Sequence, residues 1–151
     1  MARPVSVLMS LALLCRPYAH AQTPPRPGEA RAEPVPYCEL VLNPEKYDGQ
    51  TILTEAVWER LFHSGALADR SCPRVGGRAA LTAPTFSREV MHNGLGKTLG
   101  KILAKRGVAV VDLIGVFHSR KGENYGPDNQ RYQIEIRSLL AVREITNAPP
   151  Q

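Results

Sequence analysis

Apolar positions along this chain follow two rhythms, and the change from one to the other marks its elements. From Thr51 to Phe62 the chain alternates, with Ile52, Thr54 and Ala56 on one face and Leu53, Glu55 and Val57 on the other, which is the period of a strand. His63-Ser64-Gly65 predicts a turn and Ala66–Asp69 a short return strand. Arg70–Gly77, with Cys72-Pro73 and Gly76-Gly77, reads as loop, and Arg78–Ala83 as a short third strand. Between Ser87 and Arg106 the rhythm changes: Met91, Leu95, Leu99 and Leu103 recur at helical spacing with Ile102 beside them. Lys97, Lys101 and Lys105 occupy another face, and Gly107 follows as a C-terminal cap. Val108–His118 is apolar on nearly both faces, which predicts a central strand. Arg131–Ile145 alternates most clearly, placing Tyr132, Ile134, Ile136, Leu140 and Val142 together and Arg131, Gln133, Glu135 and Arg137 opposite. A long polar hairpin loop, Ser119–Gln130, joins the last two strands.

Five strands with one helix between the third and fourth is the order of the OB-fold. The expected fold is therefore mainly β, a small five-stranded OB-like Greek-key barrel covered by one helix. A different small barrel and an α+β sandwich are the alternatives.

The ends of the chain follow other rules. Arg3 precedes the uncharged, largely apolar stretch Val5–Leu14, and Ala19-His20-Ala21 puts small residues at both positions a signal peptidase reads. Residues 1–21 are thus expected to be a signal peptide cut after Ala21. The apolar stretch falls short of the roughly 18 residues a spanning helix needs, so no membrane span is expected. Leu14-Cys15 invites a lipid-attachment reading, but the residue before such a cysteine is small and Leu14 is bulky. Residues 22–36 carry Pro24, Pro25, Pro27, Pro34 and Pro36 without apolar periodicity and read as a disordered linker. The folded domain is expected at residues 37–146, with a disordered tail at 147–151 that ends Ala-Pro-Pro-Gln. The expected location is secreted or periplasmic, in a bacterium.

Export changes both the charge and the cysteine count. Of 151 residues 19 are Lys or Arg and 14 are Asp or Glu; removing Arg3 and Arg16 lowers the net charge from +5 to +3. That is ordinary for solubility and no footprint for nucleic acid. Cys15 leaves too, and the remaining pair, Cys38 and Cys72, is most simply a disulfide in an oxidising compartment. Closing a loop of roughly 35 residues contributes up to about 4 kcal/mol on a chain-entropy argument.

The run Tyr37-Cys38-Glu-Leu-Val-Leu-Asn43-Pro44-Glu45-Lys46-Tyr47-Asp48-Gly49-Gln-Thr-Ile52 resembles the opening of a group of uncharacterised exported bacterial proteins. In those, a cysteine-containing turn and an Asn-Pro-x-x-Tyr-Asp-Gly run lead into an OB-like domain. The resemblance implies a fold and a compartment, and it brings no activity or catalytic residue. Leu53 and Glu55 stand where that opening is more basic. The residues also have a conformational reading: Pro44 stops a helical turn, Tyr47 covers a barrel end, and Asp48-Gly49 turns the chain into the strand.

Patterns that carry chemistry fail on spacing. Gly94-Leu-Gly96-Lys97-Thr98 ends like a phosphate-binding loop, but Met91 stands where its first glycine is required, and Leu99 breaks the dinucleotide fingerprint. His63, His92 and His118 have no histidine or cysteine at ligand spacing. Ser64 lacks the strand-elbow-helix setting of a nucleophile. Asp112, a charge in the most apolar strand, is read as lying on a partly open face or as pairing with an arginine, the alternative being a functional carboxylate at the barrel mouth. Stacking candidates Tyr125, Tyr132 and Trp58 lie scattered among mixed charges, and only 6% of the chain is aromatic.

No catalytic residue, metal or cofactor is therefore expected. The expected function is a non-enzymatic exported binding domain, its partner left open among an envelope protein, a glycan and a small solute, with nucleic acid disfavoured. The candidate contact is the 119–130 loop through Lys121, Tyr125 and Asp128. An OB-type binder of single-stranded nucleic acid or oligosaccharide is the first alternative. A small hydrolase, needing His63, His118 and Asp112 to converge, is the second.

Overall fold

A computed structural model describes residues 32–61, 64–75 and 79–145. The expected signal peptide, the expected linker as far as residue 31 and the expected tail lie outside the described residues. The elements are β1 (Glu33–Pro34), α1 (Tyr37–Leu42), α2 (Pro44–Tyr47), β2 (Thr51–Arg60), β3 (Gly65–Ala68), β4 (Thr82–Phe86), α3 (Arg88–His92), α4 (Gly94–Arg106), β5 (Val108–His118) and β6 (Tyr132–Arg143).

Strands β2 to β6 close a mixed five-stranded barrel of OB type, in the order β2-β3-β4-β6-β5 with β5 returning to β2. The β2–β5 ladder runs antiparallel from Thr51↔Val116 to Glu59↔Val108. Closure depends on the parallel pairing of β4 with β6, from Thr82↔Tyr132 to Phe86↔Ile136. Strand β5 is bonded on both edges, as its two apolar faces require. Inward alternation on β2 buries Ile52, Thr54, Ala56 and Trp58. Phe117, Leu113 and Ile134 meet them inside, and Leu99 and Ile102 of α4 pack on the same core.

Four expectations change. The linker was expected to continue to Pro36. Instead Glu33 and Pro34 pair in parallel with Ile52 and Leu53, the Val35 amide donates to the Leu53 carbonyl at 2.9 Å, and Val35 is buried. An edge of β2 needed a partner, and proline is tolerated in such a short outer strand.

The third strand, expected at 78–83, lies at Thr82–Phe86. It takes in Pro84, which sequence pattern discounts because proline cannot donate to a ladder; pairing with β6 decides its position.

The single helix is two. Asn93 is extended, and its side chain accepts from the Gly96 amide at 2.8 Å, starting α4 afresh. A Cβ on Gly96 would stand 2.3 Å from the Val90 carbonyl oxygen, so a glycine is needed where the two helices meet. Gly107, at φ 74°, closes α4 as expected.

Along β6 the alternation slips twice. Gly115 faces Ile136 but Ile114 faces Ser138, leaving Arg137 extra; Leu113 faces Leu139 but Asp112 faces Ala141, leaving Leu140 extra. Leu139 therefore takes the buried place expected of Leu140, which is 49% exposed. Bulges of this kind bend a strand so that a barrel can close.

Candidate functional site

Two connections meet at one end of the barrel, one leading into β4 and the other into β6. Because β4 and β6 run parallel and pair from their first residues, the segments just before them lie side by side.

The first connection leaves β3 at Ala68. Cys38 and Cys72 lie at disulfide distance, with Sγ atoms 2.12 Å and Cα atoms 5.1 Å apart, tying this connection to α1. Asp69, whose carboxylate lies beside the two sulfurs, is occupied by Ser71, accepting from its amide at 2.8 Å and its hydroxyl at 2.7 Å. Tyr37, next to Cys38, is buried, and its hydroxyl donates to the Leu67 carbonyl at 2.6 Å. The same hydroxyl lies 2.6 Å from Thr82 Oγ1 and 3.2 Å from the Ala80 carbonyl. Burial holds the Tyr37 phenol well above the ordinary tyrosine range.

The second connection, Ser119–Arg131, is built from turns. Its start is fixed by the Ser119 amide donating to Asp48 Oδ1 at 2.8 Å and the Ser119 hydroxyl to the Pro44 carbonyl at 2.9 Å. Tyr125 and Gln130 exchange backbone bonds of 2.8 and 2.9 Å around Gly126–Asn129, with Gly126 at φ 66° and Asn129 at φ 52°. A solvated hairpin tip is the expectation from its polar composition, but the second half of the loop packs on the barrel. A Cβ on Gly126 would lie 3.3 Å from that of Ala83. Ala83 follows the inward-bonded Thr82 and faces the other side of β4, yet it is only 3% exposed. Loop residues thus lie against the outer face of β4.

The three loop candidates separate. Lys121 is exposed and has no ion-pair partner among the described residues. The Tyr125 hydroxyl donates to Glu123 at 2.9 Å and accepts from the Arg120 amide at 3.3 Å; partial burial, then the hydrogen bond to Glu123, raises its pKa. Asp128 accepts from the Ser64 hydroxyl, linking the loop to the start of β3. Only Asp128 borders the cleft described next.

Between the two connections lies a cleft of about 470 Å³, lined by Val75, Ala79, Ala80 and Leu81 before β4 and by Asp128, Asn129, Gln130 and Arg131 before β6. That volume is in the range of small-ligand sites. Gln130 is only 7% exposed, and neither its Nε2 nor its Oε1 has a hydrogen-bond partner among the described residues. Leaving such a group unpaired costs about 1–3 kcal/mol. Arg131 is exposed and makes no ion pair among the described residues. Sequence reasoning passed over both residues. A signal existed for Gln130: it precedes Tyr132, Ile134 and Ile136 at steps of two, so it continues their inward face.

The remaining candidates do not converge. Asp112 is paired with an arginine, one of the two structural readings its position allowed: Arg143 Nη2 is 2.9 Å from its Oδ1 and also bonds Glu55. Glu55 and Asp112 are direct cross-strand neighbours, so Arg143 neutralises a like-charge pair on the barrel exterior. His118 lies 3.8 Å from Glu135, at the end of β5 and six residues from Asp112 near its middle, roughly 20 Å away at about 3.3 Å per residue. His63 lies outside the described residues. Trp58 is buried against Phe86, with ring centroids 5.6 Å apart, and Tyr132 is buried with its hydroxyl on the Val41 carbonyl. Neither offers a stacking face. Lys97 and Thr98 sit in the first turns of α4, where Thr98 bonds back to the Gly94 carbonyl.

No protein-family model matches the chain, and no curated protein matches it. Among the described residues no helix is long and apolar enough to cross a membrane.

Proposed function

We propose that this chain is an exported, non-enzymatic binding domain that holds a small solute in the cleft between the connections leading into β4 and β6. The observation that carries the reading is Gln130: a carboxamide whose two polar atoms are unpaired among the described residues, buried in the lining of a ligand-sized cleft, beside an arginine without an acidic partner among those residues. Both atoms are themselves covered, so a ligand satisfies them where the lining shifts to admit a donor and an acceptor. Export is supported by Arg3, the Val5–Leu14 stretch and Ala19-His20-Ala21, together with the Cys38–Cys72 pairing. The resemblance of the Tyr37–Ile52 run to exported bacterial proteins points the same way.

Binding is preferred to hydrolysis because Asp112 is held by Arg143 and stands six residues along β5 from His118. The single-strand binding alternative is weakened because Trp58 and Tyr132 are buried and offer no face on which bases stack. The test is to express the chain in a Gram-negative host, sequence the exported product and screen it for thermal shifts against solute and oligosaccharide panels. An exported protein starting at Gln22 and stabilised by a solute, with that shift lost in Gln130→Leu, is the expected result. Retention in the cytosol, or binding indifferent to Gln130, overturns it.

A further inference from the structure

We propose that the outer face of α4 is a contact for an anionic lipid bilayer; it uses none of the residues that line the cleft and stands apart from that reading. Four of the thirteen residues of α4, Lys97, Lys101, Lys105 and Arg106, are basic and none is acidic. One helix therefore supplies +4 of the chain's net +5. After the expected cleavage the chain stands at +3, so everything outside α4 sums to −1. The charge is aimed as well as concentrated. Gly96, Leu99 and Ile102 turn one side of α4 into the core. Lys97, Lys101 and Lys105 are exposed and recur every four residues, about 6 Å apart along the axis. Lys97 and Lys101 make no ion pair among the described residues, whereas Lys105 and Arg106 share Glu144 at 3.9 and 3.8 Å. On α3, Arg88 and Glu89 offset each other in charge. The shape of the face points to the partner. Gly100 and Ala104, each three residues after a lysine, lie beside the row and are exposed, and a Cβ at Gly100 would meet nothing within 4 Å. The face is low and convex, suited to a flat array of charge more than to a chain gripped in a groove. Neither α3 nor α4 contains Phe, Tyr or Trp, on which the bases of a single strand would stack. The apolar side of α4 is committed to the core, so attachment is electrostatic and without insertion.

The test is cosedimentation of the purified protein with vesicles of phosphatidylglycerol and phosphatidylcholine in equal parts, beside vesicles of phosphatidylcholine alone. Binding should be confined to the anionic vesicles. It should be strong at about 0.01 M salt and lost at about 1 M, as the screening length falls from about 30 to about 3 Å. Lys97→Gln combined with Lys101→Gln should weaken it roughly twentyfold, at about fivefold for each lysine. The unfolding midpoint should be kept, because both side chains are exposed. Arg120→Gln combined with Lys121→Gln removes the same charge from the 119–130 loop and should weaken binding far less. Emission from the buried Trp58 should stay unchanged on binding, since nothing inserts. Equal sedimentation with both kinds of vesicle, an equal loss in the loop variant, or no binding at low salt overturns the proposal. So does tight binding of a thymidine oligonucleotide by protein that ignores the vesicles, which would make the lysine row a nucleic-acid contact.

Discussion

The two walls of the cleft are held by different means. Between β3 and β4 the local bonds among the described residues gather at Asp69, and the chain is positioned from outside: Cys72 by Cys38, and the Ala80 carbonyl by Tyr37. Between β5 and β6 the chain holds itself, through the Tyr125–Gln130 bond pair and left-handed residues at Gly122, Gly126 and Asn129. A wall positioned from outside depends on the integrity of α1. A wall made of turns depends on its own residues. Covalent and buried polar ties are costly to lose, whereas exposed turns tolerate change, so mutations should affect the two unequally.

The largest effect should come from the covalent tie. Reducing the protein, or replacing Cys38 and Cys72 by serine, should cost about 2–4 kcal/mol, since the bond closes a loop of 34 residues in sequence separation. Far-UV circular dichroism should still report the strands below the lowered midpoint. Free thiols found by alkylation of the unreduced protein would remove this wall's main tie and break the contrast.

Tyr37→Phe should follow, at about 1–3 kcal/mol, because the Leu67 carbonyl and Thr82 hydroxyl lose a buried partner. The sign of its pH dependence is set. Burial keeps the Tyr37 proton in the folded state, while the unfolded chain releases it near pH 10. The contribution is fully present below about pH 10 and is lost as pH rises toward the folded value, so the parent and the variant should converge in alkaline denaturant titrations. A gap that widens with pH would refute the assignment.

On the self-held wall, replacing Lys121–Asp128 by a short glycine-containing turn should cost only about 1 kcal/mol, through uncovering Ala83 and the region around Gln130. A loss as large as that from reduction would show that both walls are equally integral to the barrel. Lys121→Ala should be smallest, within about 0.5 kcal/mol by chemical denaturation, since the side chain is exposed.

Expectations failed where long-range pairing overrode a local rule. Strand β5 was legible to the residue because both its faces are apolar, and β2 because its alternation is regular. Strand β4 was misplaced because its position comes from a parallel partner fifty residues away in sequence, and because Pro84 lies inside it. Leu139 and Leu140 exchanged roles because bulges are set by the closure of the barrel, and they leave no mark in the pattern of apolar residues.

The site divides along the same line. By itself, the sequence determined the order of strands, the candidate export segment, the cysteine pair and the polarity of the last loop, because each depends on residue type or on neighbours within a few positions. The tertiary structure alone decided that Asp128–Arg131 would stand beside Val75 and Ala79–Leu81, and that the Gln130 carboxamide would be buried without a partner. Those facts follow from a ladder between strands distant in the chain. Periodicity states which face a residue takes, but it does not state what lies opposite.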